Sequence, residues 1–269
     1  MSRIQDKFLE LRAKKQKALI AYAMAGYPND KKTIEIVQSL VEGGADIIEI
    51  GLPFSDPLAD GPVIQNASFQ ALQKGMNFER FLKIVKKIRK ETTVPLVLMT
   101  YANLLYSQGY GRFISAIKKA GIDGIILPDM AIEEADQYLD IVRKHDLDAI
   151  FLISPNTSKE RIKKIAKASS GFVYLVSTYG TTGGTQQQFQ QYTIDAIKNA
   201  KRTLGSKIPL GVGFGVNNPD QARSILRTGA DGIIVASAFL RLIAKTPQTK
   251  IHSKLVSFAK SLKNTTIIE

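Results

Sequence analysis

The chain contains no cysteine, so disulfides, thiolate metal sites and a cysteine nucleophile are excluded. Histidine is almost as scarce. His145 and His252 both lie in polar stretches that read as solvated faces, so no metal centre is assigned. No apolar run approaches the ~18 residues that a membrane span needs. Residues 1–17 are charged throughout and lack the apolar core of a secretory signal, which points to the cytoplasm. No linker or low-complexity segment divides the chain, and its 269 residues are expected to form one domain, 1–269. Acid is in short supply: 24 Asp and Glu face 37 Lys and Arg, a formal charge of +13.

A basic excess raises nucleic acid, anionic membranes and anionic substrates as partners. The cations are spread through helical segments, however. Lys83, Lys86, Lys87, Arg89 and Lys90 interleave with Ile84, Val85 and Ile88 at helical spacing. Lys159, Arg161, Lys163, Lys164 and Lys167 form a second such group. Both read as wet faces of amphipathic helices. The aromatic–basic interleaving of single-strand binders is missing, so nucleic-acid binding is not expected. With 44% hydrophobic and 23% charged residues, the composition is that of a soluble globular protein.

The pattern along the chain is a repeated βα unit. Residues 3–13 read as a short amphipathic helix with Ile4, Phe8, Leu9 and Leu11 on its apolar side, placed to plug the bottom of a barrel. A strand at 18–25 and a helix at 30–43 follow, the helix turning Ile34, Val37, Leu40 and Val41 inward. A strand at 46–51 leads to a long loop and a helix near 62–73. Further strands are expected at 94–100, 124–128, 149–154, 172–177, 209–213 and 232–236. Gly44-Ala45-Asp46-Ile47-Ile48 has echoes in Gly121-Ile122-Asp123-Gly124-Ile125-Ile126 and Gly229-Ala230-Asp231-Gly232-Ile233-Ile234. In each, glycine stops a helix in a left-handed cap, aspartate turns the corner, and a β-branched run enters the sheet. Eight nearly continuous apolar strands alternating with helices predict an α/β fold, a closed parallel (β/α)₈ TIM barrel with a short extra N-terminal helix. An open doubly wound sheet is the alternative.

The chain is organised around Ile48-Glu49-Ile50-Gly51-Leu52-Pro53-Phe54-Ser55-Asp56-Pro57-Leu58-Ala59-Asp60-Gly61. Strand alternation puts Ile47, Glu49 and Gly51 on one face. Glu49 therefore points where water is scarce, and desolvation raises a carboxyl pKa towards neutrality. Asp60, on the loop, is expected to be hydrated and ionised. Two acids in contrasting environments suggest two roles. A structural ion pair is the competing account of Glu49. Three glycine-containing turns suggest a phosphate: Gly183-Gly184, Gly211-Val212-Gly213-Phe214-Gly215, and Ala236-Ser237 at a helix start. The middle one lacks the third glycine and the βαβ context of a dinucleotide fingerprint. Asn218-Pro219 reads as an N-cap and first helical turn.

The run from Ile48 to Gly61 resembles the signature of the tryptophan synthase alpha chain, and meets every position of it: aliphatic-Glu-aliphatic-Gly, two residues, an aromatic, Ser or Thr, Asp, Pro, two apolar residues, Asp, Gly. The resemblance covers nearly the whole chain. It implies retro-aldol cleavage of indole-3-glycerol phosphate to indole and glyceraldehyde 3-phosphate, with Glu49 and Asp60 catalytic. It implies that Tyr22 touches the indole side, that Tyr101 and Phe214 line the pocket, and that Tyr174 lies near the substrate. Thr182, Gly183, Gly215, Ala236 and Ser237 would surround the phosphate. Asp56 and Asp129 would signal to a partner, a beta chain that receives indole in a tetramer of two alpha and two beta chains. Pyridoxal phosphate would belong to the beta chain only, and this chain would need no cofactor. Two departures are visible: Ser177-Thr178 where many members have Ser-Arg, and Ala236-Ser237 where many have Gly-Ser. Three rivals remain: another phosphosugar-type barrel enzyme, such as an isomerase or a Schiff-base aldolase, the aldolase needing a strand-end lysine; a non-catalytic regulatory subunit that binds the phosphate ligand and activates a partner; and a basic nucleic-acid-binding barrel.

Overall fold

A computed structural model of the chain describes residues 1–176, 191–213 and 215–267. Its strands are β1 (Ala18–Met24), β2 (Ile47–Gly51), β3 (Leu96–Met99), β4 (Gly124–Ile126), β5 (Asp148–Ile150), β6 (Leu152–Ile153), β7 (Val173–Val176), β8 (Leu210–Gly213) and β9 (Gly232–Val235). All pair in parallel, in the order β5-β4-β3-β2-β1-β9-β8-β7-β6. The expected strand at 149–154 is interrupted at Phe151, which separates β5 from β6. The Phe151 carbonyl still accepts from Tyr174 N at 3.0 Å, so the interrupted stave closes the ring. Eight staves thus make a (β/α)₈ barrel, as the repeated pattern predicts. β1 is buried along its whole length, as a strand packed on both faces must be.

The helices around it are α1 (Arg3–Ala13), α2 (Asp30–Glu42), α3 (Pro62–Gln73), α4 (Phe78–Glu91), α5 (Ala102–Gln108), α6 (Tyr110–Ala120), α7 (Asp136–Lys144), α8 (Lys159–Ala168), α9 (Gln191–Leu204), α10 (Pro219–Arg227), α11 (Ser237–Lys245) and α12 (Ile251–Asn264). α1 starts in a capping box between Ser2 and Gln5 and lies under the barrel. Phe8 meets Phe172 at 5.9 Å between ring centroids, and Ile4 is fully buried. The buried line of α1 is Ile4, Phe8 and Leu11, so Leu9 falls outside it and is 46% exposed, against expectation. In α2 the core place belongs to Ile36, Val37 and Leu40, while Ile34 and Val41 are only partly buried.

The three echoed junctions do one job in three places. Gly44, Gly121 and Gly229 have φ of 95°, 110° and 116°, the left-handed caps that end α2, α6 and α10. The aspartate two residues on then accepts an N–H near the start of a neighbouring strand. Asp46 takes Leu19 N (2.8 Å), Asp123 takes Leu96 N (2.8 Å) and Asp231 takes Leu210 N (2.9 Å). Each is also matched by a cation: Lys263, Arg89 and Lys201 respectively. Arg89 is therefore not part of a wet face. Its guanidinium donates to the carbonyls of Gly121, Thr92 and Val94 and to Asp123, and stitches α4 to the β4 entry. Saturated polar groups at the N-terminal ends of the strands leave the other end for chemistry.

Candidate active site

The catalytic candidates lie at the C-terminal half of the barrel. Glu49 is the middle residue of β2, in register with Tyr22 on β1 and Val97 on β3. It is 1% exposed, and among the described residues its Oε2 has no hydrogen-bond partner. Among the described residues no cation pairs with it, which removes the structural ion-pair account. Burial, and secondarily the negative charge of Asp60, push its carboxyl up to about 8.

Asp60 lies on the loop between β2 and α3. It is not hydrated as expected, being 5% exposed, and burial raises its carboxyl to about 6, offset in part by a hydrogen bond from Tyr101. The reason is the clamp that Tyr101, at the end of β3, places on this loop. Its hydroxyl donates to Asp60 Oδ2 (3.1 Å) and accepts from Ala59 N (3.0 Å), and its ring stacks on Phe54 with centroids 5.2 Å apart. Asp60 Oδ1 is, like Glu49 Oε2, buried and without a partner among the described residues. Two orphan carboxyl oxygens, on acids close enough for the Asp60 charge to act on Glu49, are costly to folding and are left for a ligand to satisfy.

Tyr22 and Tyr174 are buried beside this pair, and both acids press their phenols upward in pKa after burial itself. Space for them comes from two glycines. A Cβ on Gly51 would stand 2.0 Å from the Tyr22 hydroxyl, and one on Gly213 would stand 2.3 Å from that of Tyr174. The glycine of the Glu49 motif is thus required by an aromatic on the next strand.

The phosphate turns are partly in view. α11 begins at Ser237 after β9, with Ala236 as N-cap and no side-chain cap, so its first N–H groups have no side-chain acceptor. Gly215 has φ 79°, and a Cβ there would meet nothing within 4 Å among the described residues. Asn218 accepts from Gln221 N (2.9 Å) at the start of α10, as Asn218-Pro219 predicts. Thr182, Gly183 and Phe214 lie outside the described residues, as does the rest of 177–190. Asp56 is exposed on the loop and bonded by Ser55. Asp129, exposed after β4, accepts Ala102 N with both oxygens (3.0 and 3.1 Å). Ala102 follows Tyr101, so one residue links this rim acid to the side chain that holds Asp60.

Sequence reasoning missed Arg241. It lies one turn after Ser237 on α11, and helical side chains lean back towards the N-terminus. It donates to Asn217, whose Nδ2 donates to the Gly215 carbonyl at 2.9 Å. Partial burial lowers its pKa, and no acid pairs with it among the described residues. The i+4 spacing from Ser237 is the signal that could have found it. The described strands carry no lysine, which removes the Schiff-base aldolase.

The model of the tryptophan synthase alpha chain family matches residues 8–266. The chain is 43% identical over 262 residues to the tryptophan synthase alpha chain of Methanosarcina mazei, covering 97% of this chain and 93% of that one. It superposes on a chain of Mycobacterium tuberculosis tryptophan synthase with a TM-score of 0.89 and 35% identity, over 100% of this chain and 99% of that one. A structure described as showing mutual activation of the tryptophan synthase a2b2 complex of Pyrococcus furiosus gives 0.86 and 36%, over 92% and 98%. These matches identify the chain as a member of the tryptophan synthase alpha chain family.

Proposed function

We propose that this chain, as one barrel domain spanning 1–269, cleaves indole-3-glycerol phosphate to indole and glyceraldehyde 3-phosphate. The observation that carries the proposal is the buried acid pair, with one free oxygen on each and pKa values split around neutrality. At pH 7 Glu49 is mostly protonated and Asp60 mostly ionised, which supplies an acid and a hydrogen-bond acceptor at once.

Glu49 gives its proton to indole C3, which becomes tetrahedral and leaves positive charge on the ring nitrogen. The Asp60 carboxylate accepts the ring N–H and stabilises that charge. The Glu49 carboxylate then takes the proton of the side-chain hydroxyl next to C3. The C–C bond breaks, its electron pair restores the aromatic ring, and the hydroxyl carbon becomes the aldehyde. Glu49 ends protonated, ready for another turn. Tyr174 orients Glu49 or the hydroxyl, while Tyr22, Tyr101 and Phe214 flank the ring. Thr182, Gly183, Gly215, Ala236 and Ser237 hold the phosphate, helped by the positive end of α11.

The chain itself uses no cofactor. Its partner is a beta chain that takes up the indole and carries pyridoxal phosphate, in a complex of two plus two chains. Asp56 and Asp129 relay the state of one site to the other, Asp129 through the Ala102–Tyr101 link to Asp60. The compartment is the cytoplasm; no helix among the described residues is long and apolar enough to cross a membrane. Incubating the chain with indole-3-glycerol phosphate should release indole in the absence of metal or added cofactor, and faster with the beta chain. No indole under either condition would leave only the regulatory-subunit reading.

A further inference from the structure

A cavity of about 1020 Å³ lies at the opposite end of the barrel from Glu49. It is formed by α1, α8 and α9 and by the N-terminal approaches to β7, β8 and β9, where Gly171, Pro209 and Asp231 line it. Phe8, Leu204 and Ile208 give it an apolar floor, and the exposed Leu9 of α1 also faces it. Arg12, Lys15, Lys163, Lys167 and Lys207 stand around that floor. None of the five has an acidic partner among the described residues. Asp231, the one carboxylate of the lining, is already held by Lys201 and, at 3.6 Å, by Lys17.

Unpaired cations on a convex helix are simply hydrated, as Lys83, Lys86 and Lys87 on α4 are. Cations that surround a concavity behave differently. Low-dielectric walls focus their field into the space between them and attract a counter-charge. The apolar floor adds a preference for a ligand with a flat hydrophobic body, and the volume is that of a small-molecule site. Lys163 and Lys167, which read in the sequence as part of a wet helical face, instead border this space.

We propose that this cavity binds a small anionic amphiphile: an aromatic or apolar body bearing two or more phosphate, sulfonate or carboxylate groups. The site is separate from the acid pair and does not depend on the proposed reaction. A polyanionic chain is a poorer fit, because the five cations line one bounded volume of about 1020 Å³.

The test uses the full chain and bis-ANS, an aromatic probe with two sulfonates, followed by fluorescence and equilibrium dialysis. Saturable binding at one site is expected, weakening as salt is raised. Lys163→Glu, Lys167→Glu and Lys207→Glu combined should raise Kd roughly tenfold or more. Lys83→Glu, Lys86→Glu and Lys87→Glu combined, the same change of charge on the convex face, should leave it within about twofold. Thermal unfolding checks each variant for folding. Lys167→Gln alone, a neutral change at an exposed position, serves if the triple variant does not fold, and should still weaken the probe. Equal loss in both triple variants would reduce the effect to bulk charge. No loss in the cavity variants would place the probe elsewhere. Displacement by a single-stranded oligonucleotide at matched phosphate concentration would make the surface a polymer track. Each of these three results overturns the proposal.

Discussion

In the proposed reaction Glu49 starts protonated and Asp60 ionised, so kcat/KM should be bell-shaped in pH. The acid limb should fall near about 6 as Asp60 takes a proton, and the alkaline limb near about 8 as Glu49 loses one. A flat profile across that range would separate the two groups from the rate. Glu49→Gln and Asp60→Asn should each lower turnover roughly a hundredfold or more while the circular dichroism spectrum persists; near-normal turnover in either variant would discard its role. Glu49 also links activity to stability. Its carboxyl is raised from an ordinary 4.5 to about 8 in the folded chain. Between those values the unfolded chain gives up this proton and the folded chain retains it, so the Glu49 contribution to stability declines as pH rises. Glu49→Gln should therefore melt above the parent at pH 8, by an amount on the order of a few kcal/mol, and the gap should close near pH 4.5. A gap of constant size would assign it to packing instead. The sequence placed Glu49 in a dry pocket correctly, because strand alternation is local. It missed the burial of Asp60, because the clamp comes from Tyr101, forty-one positions away.

At the level of elements, the helix-to-strand junctions are where the repeated pattern acquires a cause. The Gly-x-Asp echo is visible in the sequence, but the partners of each aspartate are not, since Lys263, Arg89 and Lys201 come from other elements. Arg89 shows the cost of reading charge by helical face alone: its aliphatic neighbours mark an amphipathic helix, yet its own head group is turned into the Asp123 junction. Arg89→Met would leave Asp123 to Arg3 and strip donors from three carbonyls. Urea unfolding should show a loss of about 3 kcal/mol, with turnover per folded molecule unchanged. A loss below about 1 kcal/mol would mean that water replaces the guanidinium without penalty. The break at Phe151 was also illegible, because residues 149–154 form an unbroken apolar run apart from Ser154 and nothing in it marks an interruption. The end of α1 repeats the lesson on a smaller scale: Leu9 sits among hydrophobic neighbours in sequence but off the line they bury.

For the whole molecule, the matching beta chain should sediment with this chain as a complex of two plus two and should raise the rate of indole release; two independent boundaries would count against the proposed partnership. The barrel itself was readable from the spacing of its strands, and the family from one fourteen-residue word. The basic cavity was not, because Arg12, Lys163 and Lys207 belong to distant segments that only the closed ring brings together. The two ends of that ring obey opposite rules. At one, the aspartates of all three echoed junctions have found their cations; at the other, two carboxyl oxygens are kept waiting. A lineage that ceased to need the reaction would be under no pressure to keep the second state, and heat tolerance alone would favour its erosion. Descendants that have exchanged Glu49 for a neutral residue while preserving Asp46, Asp123 and Asp231 would then mark, within a set of relatives, the branches on which catalysis has lapsed and the scaffold has survived.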